Sequence, residues 1–368
     1  MNKINYKSVP IKRIGKVVTG KTPATAHKEF YDGQYMFISP TELHGGYFVK
    51  KSEKTLTEAG LKSVKSNSID GTSILVGCIG WDMGNVAMCN EKCATNQQIN
   101  SITEIKEEYN PYYVYYWLCG KKEYLFSIAS VTRTPILSKS VFEEVLVPLP
   151  EKKQQDNVVN ILLRIDKKIA LNEQINDNLA AMAYDIYMHS FFSKKPNAKL
   201  KDILIEADKS SVQVGEAKQS TGEYPFFTSG SAILKWDTPF IDGRNCFLNT
   251  GGNADVKFYV GAAAYSTDTW CISANNNMSD YLYLLLVSIK PELNQKFFQG
   301  TGLKHLQKPL LKDRPIYIPD FEELKTFNEQ VNPMLNIISE NTRENQELIT
   351  LRDWLLPMLM NGQATISD

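Results

Sequence analysis

The sequence predicts an α+β chain: two mixed, mostly-β modules, each followed by a long α-helix, the two helices forming an antiparallel coiled coil with pseudo-twofold symmetry. Three observations predict it. Alternating steps of four and three residues from Val158 meet Leu162, Ile165, Ile169, Asn172, Asn176, Leu179, Ala183 and Ile186, an apolar stripe at the 3.5-residue period of a helix that packs along its length on another. The same steps, 169 residues later, meet Phe327, Val331, Met334, Ile338, Asn341, Asn345, Leu348, Arg352 and Leu355. The 169-residue offset also relates the module exits, pairing Leu137 with Leu306, Lys139 with Lys308 and Pro150 with Pro319. A seam Asn weakens packing but fixes register. With antiparallel helices Asn172 faces Asn345 and Asn176 faces Asn341, so each amide meets an amide.

The first module is placed at 1–150. Short apolar runs at 35–38, 73–76 and 85–88, separated by Gly and Asp, read as strands. Asn110 before Pro111 reads as the cap and first residue of a helix through Tyr113, Tyr116 and Trp117. A closing strand at 145–149 stops at Pro150. The first long helix occupies 151–195 with its exit loop, and at 1.5 Å per residue is about 60 Å long. The second module, 196–318, repeats the style, with a helical run expected at 280–298. The second long helix occupies 319–368, and its tail, from Trp354 to Met360, is too apolar to remain in water.

A chain of 368 residues has material for more than one core, and 43% hydrophobic with 22% charged residues is ordinary for a globular protein. No run of about 18 apolar residues occurs, so no membrane span is expected. The N-terminal residues lack the apolar run of a signal peptide, which makes the cytoplasm the expected compartment. The six cysteines form no C-x-x-C pair, and the four histidines show no metal-ligand spacing, so reduced thiols and no metal site are expected. The formal charge is zero overall, but the modules carry a small excess of Lys and Arg while the helices are acidic. That division suits modules touching a polyanion and helices facing protein.

Two fragments resemble catalytic motifs. Asn110-Pro111-Tyr112-Tyr113 is similar to the Asn-Pro-Pro-Tyr turn of adenine methyltransferases but lacks its second proline, and no glycine-rich loop accompanies it to hold S-adenosylmethionine. Glu104-Ile105-Lys106 has the Glu-x-Lys form of a metal-dependent nuclease without a preceding Pro-Asp turn. No nucleophile elbow, Walker loop or His-Glu-x-x-His occurs. No catalytic residue is assigned.

The loops before each exit strand carry more. Residues 131–137 align at the same offset with 300–306, and each loop combines hydroxyl and basic side chains. Arg suits guanine edges, Asn and Gln suit adenine, and Lys and hydroxyls suit phosphates. The candidate DNA-facing residues are Lys21, Thr22, Trp81, Asn96, Gln97, Thr132, Arg133, Thr134 and Lys139 in the first module. In the second they are Arg244, Asn245, Asn253, Lys257, Thr301, Lys304, His305 and Lys308. Asn172, Asn176, Asn341 and Asn345 are the candidate register residues.

This order of features resembles the specificity subunit of type I restriction-modification systems. The resemblance rests on 9–15 with 18–23, on Gly84-Asn85-Val86-Ala87 with Ala94-Thr95-Asn96-Gln97-Gln98, on Val147-Pro148-Leu149-Pro150, and on 351–357 with Asn361-Gly362. It implies two target-recognition domains reading a bipartite DNA site, with the helices as a ruler. It also implies two methyltransferase subunits as partners, joined by restriction (translocase) subunits, with S-adenosylmethionine, ATP and Mg carried by those partners and no cofactor bound by this chain. Where the family often has Pro-x-x-Glu-Gln at the helix start, this chain has Gln154-Gln155 and Glu322-Glu323. The rival reading is a duplicated, non-catalytic β-rich module binding protein or glycan ligands, for which Trp81, Trp236 and Trp270 near predicted turns are the supporting residues.

Overall fold

The computed structural model describes residues 5–44, 46–131 and 133–363. The chain divides into two compact units, one of Met1–Ala170 with Leu348–Asp368 and one of Leu171–Glu347. Each long helix, Lys152–Phe191 and Phe321–Met360, contributes to both.

The first unit contains a four-stranded antiparallel sheet in the order Lys16–Thr19, Ile99–Thr103, Ser73–Gly77, Val86–Cys89. Beside it in sequence lies a second sheet, in which Tyr31–Ile38 pairs parallel with Cys93–Thr95. Ser73–Gly77 is buried throughout because it has a core on each face. Ile74 and Val76 belong to the main core, and Leu75 to a smaller one. Burial of both faces explains an apolar run with no polar alternation.

The main core lies between this sheet and helix Pro111–Cys119, and continues onto the long helices. Val158 and Leu162 join it from the first helix, and Leu359 and Met360 from the second, with Leu355 and Leu356 packed at its edge. The apolar C-terminal tail is therefore partly covered: Leu359 and Met360 are buried, Leu355, Leu356 and Met358 half-buried, and Trp354, at 57%, and Pro357 remain exposed. Asn110 caps the 111–119 helix by accepting from the backbone N–H groups of Tyr112 and Tyr113, and its amide donates to Asp156 at 2.7 Å. The Asn-Pro-Tyr-Tyr fragment is thus a helix start.

Within the same unit Asp166, 3% exposed, accepts from the Tyr116 hydroxyl at 2.6 Å and from Arg352 at 2.9 Å. Burial, then the neighbouring Asp166 carboxylate, pushes the Tyr116 phenol far above its usual range, so it stays a donor.

The second unit repeats the topology. Its antiparallel sheet runs Leu204–Glu206, Thr269–Ala274, Arg244–Asn249, Val256–Val260, and its smaller sheet pairs Tyr224–Phe227 parallel with Ala264–Tyr265. Helix Ser279–Ser288 takes the place of the 111–119 helix and packs Tyr281 and Leu285 with Tyr187, Phe191, Phe327 and Val331. The helical run expected at 280–298 is broken. It stops at Ser288, resumes as Lys290–Glu292, and closes in a π-helical turn, Leu293–Phe297. Pro291 is the reason, since it has no N–H to give and its ring collides with the preceding turn.

In this unit residues 171–191 run antiparallel to 321–347. Asn172 donates to Asn345 at 2.8 Å, Asn341 donates to Asn176 at 2.8 Å, and the Phe191 and Phe327 rings meet at 5.1 Å. The start of the second long helix is closed by a reciprocal pair: the Asp320 carboxylate accepts from the Glu323 N–H, and Glu323 accepts from the Asp320 N–H. That capping box satisfies two N–H groups at the helix start, so Asp320 with Glu323 provides the cap.

All six cysteines are free thiols. Among the described residues no cluster of His, Cys, Asp and Glu fits a metal ion, and no helix is long and apolar enough to cross a membrane.

Candidate nucleic-acid interface

In the first unit the backbone draws four loops into one ridge. Thr22 Oγ1 donates to the Gln97 side chain at 2.7 Å, and Gly20 lies so close to Asn96 that a Cβ there would sit 2.1 Å from its carbonyl oxygen. Asn96 folds the turn, accepting from the Gln98 N–H and donating to its side chain. From Gln98 the chain connects to the next loop, because the Cys78 N–H donates to the Gln98 carbonyl at 2.7 Å. The hairpin formed by Ser130–Val131 and Pro135–Ile136 then locks onto that loop through Leu137 N–H to Cys78 O, 2.9 Å, and Gly80 N–H to Pro135 O, 3.0 Å. Gly80 has φ +103, the left-handed region that favours glycine.

Lys21, Trp81, Gln97, Arg133 and Thr134 stand exposed along this ridge. Thr132 lies outside the described residues. Lys139 starts the short helix Lys139–Glu143 and pairs along it with Glu143 at 3.6 Å. The turn below Trp81 is held by Asp82, which accepts from Lys122 at 2.6 Å and from Asn85. The Lys122 hydrogen bond holds the Asp82 carboxyl below the usual range.

The second unit builds the same two-loop edge. The Leu306 N–H donates to the Thr250 carbonyl at 3.0 Å, and the Gly252 N–H to the Lys304 carbonyl at 2.9 Å. Hairpin strands Phe298–Gln299 and His305–Leu306 thus pin the 250–252 turn as the other hairpin pins 78–80. Asn253, Thr301, Lys304 and His305 are exposed there. Leu303, between Gly302 and Lys304, is 67% exposed. Sequence reading passed over it, although an apolar residue inside a glycine-marked loop was the available signal.

Other candidates are committed to internal contacts. Arg244 forms a two-pronged ion pair with buried Asp280 and donates to Asn336 at 2.6 Å. Burial raises the Asp280 pKa and the guanidinium opposes it. Asn245 is 6% exposed and donates to the Asp242 carbonyl. The Lys257 amine clasps the carbonyls of Thr228 and Gly230, and burial lowers its pKa. Lys308 lies 4.9 Å over the Trp270 ring, and burial, opposed by Glu206, lowers its pKa as well. Arg244, Asn245 and Lys257 thus position strands and turns, while Lys308 is half-buried against an indole.

What the two edges offer is therefore alike: exposed cations, hydroxyls and amides on loops tied by backbone hydrogen bonds. Such groups hydrogen-bond phosphates and base edges.

Comparison with known proteins agrees in kind. The family model for the type I restriction modification DNA specificity domain matches residues 3–181 and again 194–349. The chain is 22% identical over 405 residues to the type I restriction enzyme MjaIX specificity subunit of Methanocaldococcus jannaschii, covering 97% of this chain and 93% of that one. It is 32% identical over 142 residues to the type I restriction enzyme HindI specificity subunit of Haemophilus influenzae, covering 38% of this chain and 31% of the relative. The crystal structure of the type I restriction-modification S subunit from M. genitalium shares its fold, with a TM-score of 0.57 at 16% identity over 100% of this chain and 98% of that one.

Proposed function

Because the chain belongs to the type I restriction-modification DNA specificity family, we propose that it is the non-catalytic subunit that gives such a complex its DNA sequence specificity. Each module, 1–150 and 196–318, acts as a target-recognition domain for one half of a bipartite double-stranded site. The long helices, pairing antiparallel about a pseudo-twofold axis, set the number of unread base pairs between the halves. Asn172, Asn176, Asn341 and Asn345 fix their register.

The observation that carries the reading is the two-loop edge, made twice with the same pair of backbone hydrogen bonds: Leu137 to Cys78 and Gly80 to Pro135, then Leu306 to Thr250 and Gly252 to Lys304. Arg133, Thr134, Gln97 and Lys21 on one edge, and Lys304, His305, Thr301 and Asn253 on the other, are the side chains assigned to DNA. They are exposed, and their types match base edges and phosphates. Arg244, Asn245 and Lys257 act beneath that surface.

The partners are two methyltransferase subunits and the restriction subunits, which supply S-adenosylmethionine, ATP and Mg and flip the target base. Exposed apolar side chains on the helices support protein docking there, including Leu171, Met182, Phe321 and Trp354. The cytoplasm, where DNA and partners are found, is the assigned compartment. Methylome sequencing of the host with and without this chain tests the proposal. Loss of one bipartite methylated motif is expected, and an unchanged methylome refutes it.

A further inference from the structure

We infer that each module presses one exposed apolar side chain, Trp81 in the first and Leu303 in the second, against the bases of its half-site. This rests on the DNA-reading function proposed above and adds the means of contact.

Trp81 is 70% exposed and Leu303 67%. Single exposed apolar residues are common and by themselves mean nothing. These two are set apart by position. Trp81 follows Gly80, whose N–H is bound to Pro135 of the hairpin, and Leu303 precedes Lys304, whose carbonyl is bound to Gly252 of the turn. Both therefore sit where the two loops are tied, though on opposite members of the pair.

Each is also flanked by polar groups suited to a nucleic acid. Arg133 and Thr134 are exposed on the first hairpin, and Thr301 and Lys304 on the second. No ion pair involving Arg133 or Lys304 occurs among the described residues. Such cations and hydroxyls with no ion-pair partner, on the same tied loops as an exposed apolar side chain, leave charge free for a polyanion. The combination suits a groove, where cations hold phosphates while the apolar group meets a thymine methyl or wedges a base step.

In the first module the Trp81 turn is held by side-chain contacts, and a turn already held lowers the ordering cost of binding. The Trp81 ring lies 6.1 Å from that of Phe126, and its turn is braced by Asp82 with Lys122 and Asn85. An indole and an isobutyl group differ in size and stacking, so the two modules address unlike base steps.

The test uses the full chain assembled with its methyltransferase subunits and a duplex carrying the motif found by methylome sequencing, against a scrambled duplex. Trp81→Ala is expected to weaken specific binding about tenfold or more, to leave scrambled-duplex binding and its salt dependence unchanged, and to relax preference within one half-site only. Trp81→Phe should restore most of the loss, and Leu303→Ala should act on the other half-site. Specific binding unchanged in both alanine variants, with the wild-type complex still selective, overturns this inference and leaves the DNA-reading function intact. A wild-type complex without sequence preference overturns both. Loss of methyltransferase assembly in Trp81→Ala assigns the side chain to protein contact and overturns the inference.

Discussion

Replacing Arg352 by Met should destabilise the first unit by about 3 kcal/mol. Asp166 is 3% exposed and holds two donors, Tyr116 Oη and Arg352 Nη1. Breaking a buried pair by removing one partner costs about 3–5 kcal/mol. The lower end applies because the Arg352 side chain is itself 28% exposed and the Tyr116 bond survives. At the 169-residue offset, Tyr116, Asp166 and Arg352 correspond to Leu285, Leu335 and Ala183, all buried in the second core. The second unit thus fills the same positions without charge. The triple change Tyr116→Phe, Asp166→Leu, Arg352→Met should therefore recover most of the loss, since well-packed apolar groups replace buried ion pairs at little or no cost. In a unit of this size each kcal/mol shifts Tm by roughly 2–4 °C, so the single change should lower the unit's melting step by about 6–12 °C. Differential scanning calorimetry of the full chain measures this. A single variant within about 1 °C of wild type, or a triple variant as unstable as the single one, refutes the reasoning.

Three further outcomes are expected. Arg133→Ala should weaken DNA binding of the assembled complex in gel shifts while size-exclusion chromatography shows intact assembly. Changing Asn176 and Asn341 together to Leu should raise Tm, because two amides leave a helix seam, and should loosen the spacing between methylated half-sites. Glu323, held down to about 2 chiefly by the Lys194 and Tyr317 hydrogen bonds, has a folded pKa below its ordinary 4.5. Its contribution is complete above about pH 4.5 and is lost as pH falls towards 2, so Glu323→Gln should flatten that limb of the acid-denaturation curve.

Elements built by local rules were legible in the sequence. The 73–77 strand showed as an unbroken apolar run because both its faces are covered, and Asn110 marked its helix because a cap acts on the next two or three residues. Asn172 touches Asn345 and Asn176 touches Asn341 at the positions the heptad step marks. The tied loops were not legible. Their hydrogen bonds use backbone atoms, and the second module displaces the 250–252 turn from the 169-residue offset that its hairpin keeps. Arg244 read as a surface cation because nothing near it in sequence announces Asp280, which folding brings beneath it. The break at Ser288 was visible as Pro291, but the apolar run on either side outweighed it.

The most direct measurement exchanges residues 196–318 for the second module of another specificity subunit and sequences the resulting methylome. One half of the methylated motif should change, while the other half and the base pairs between them stay as they were. A change in both halves, or in neither, contradicts two independent readers on one helical spacer.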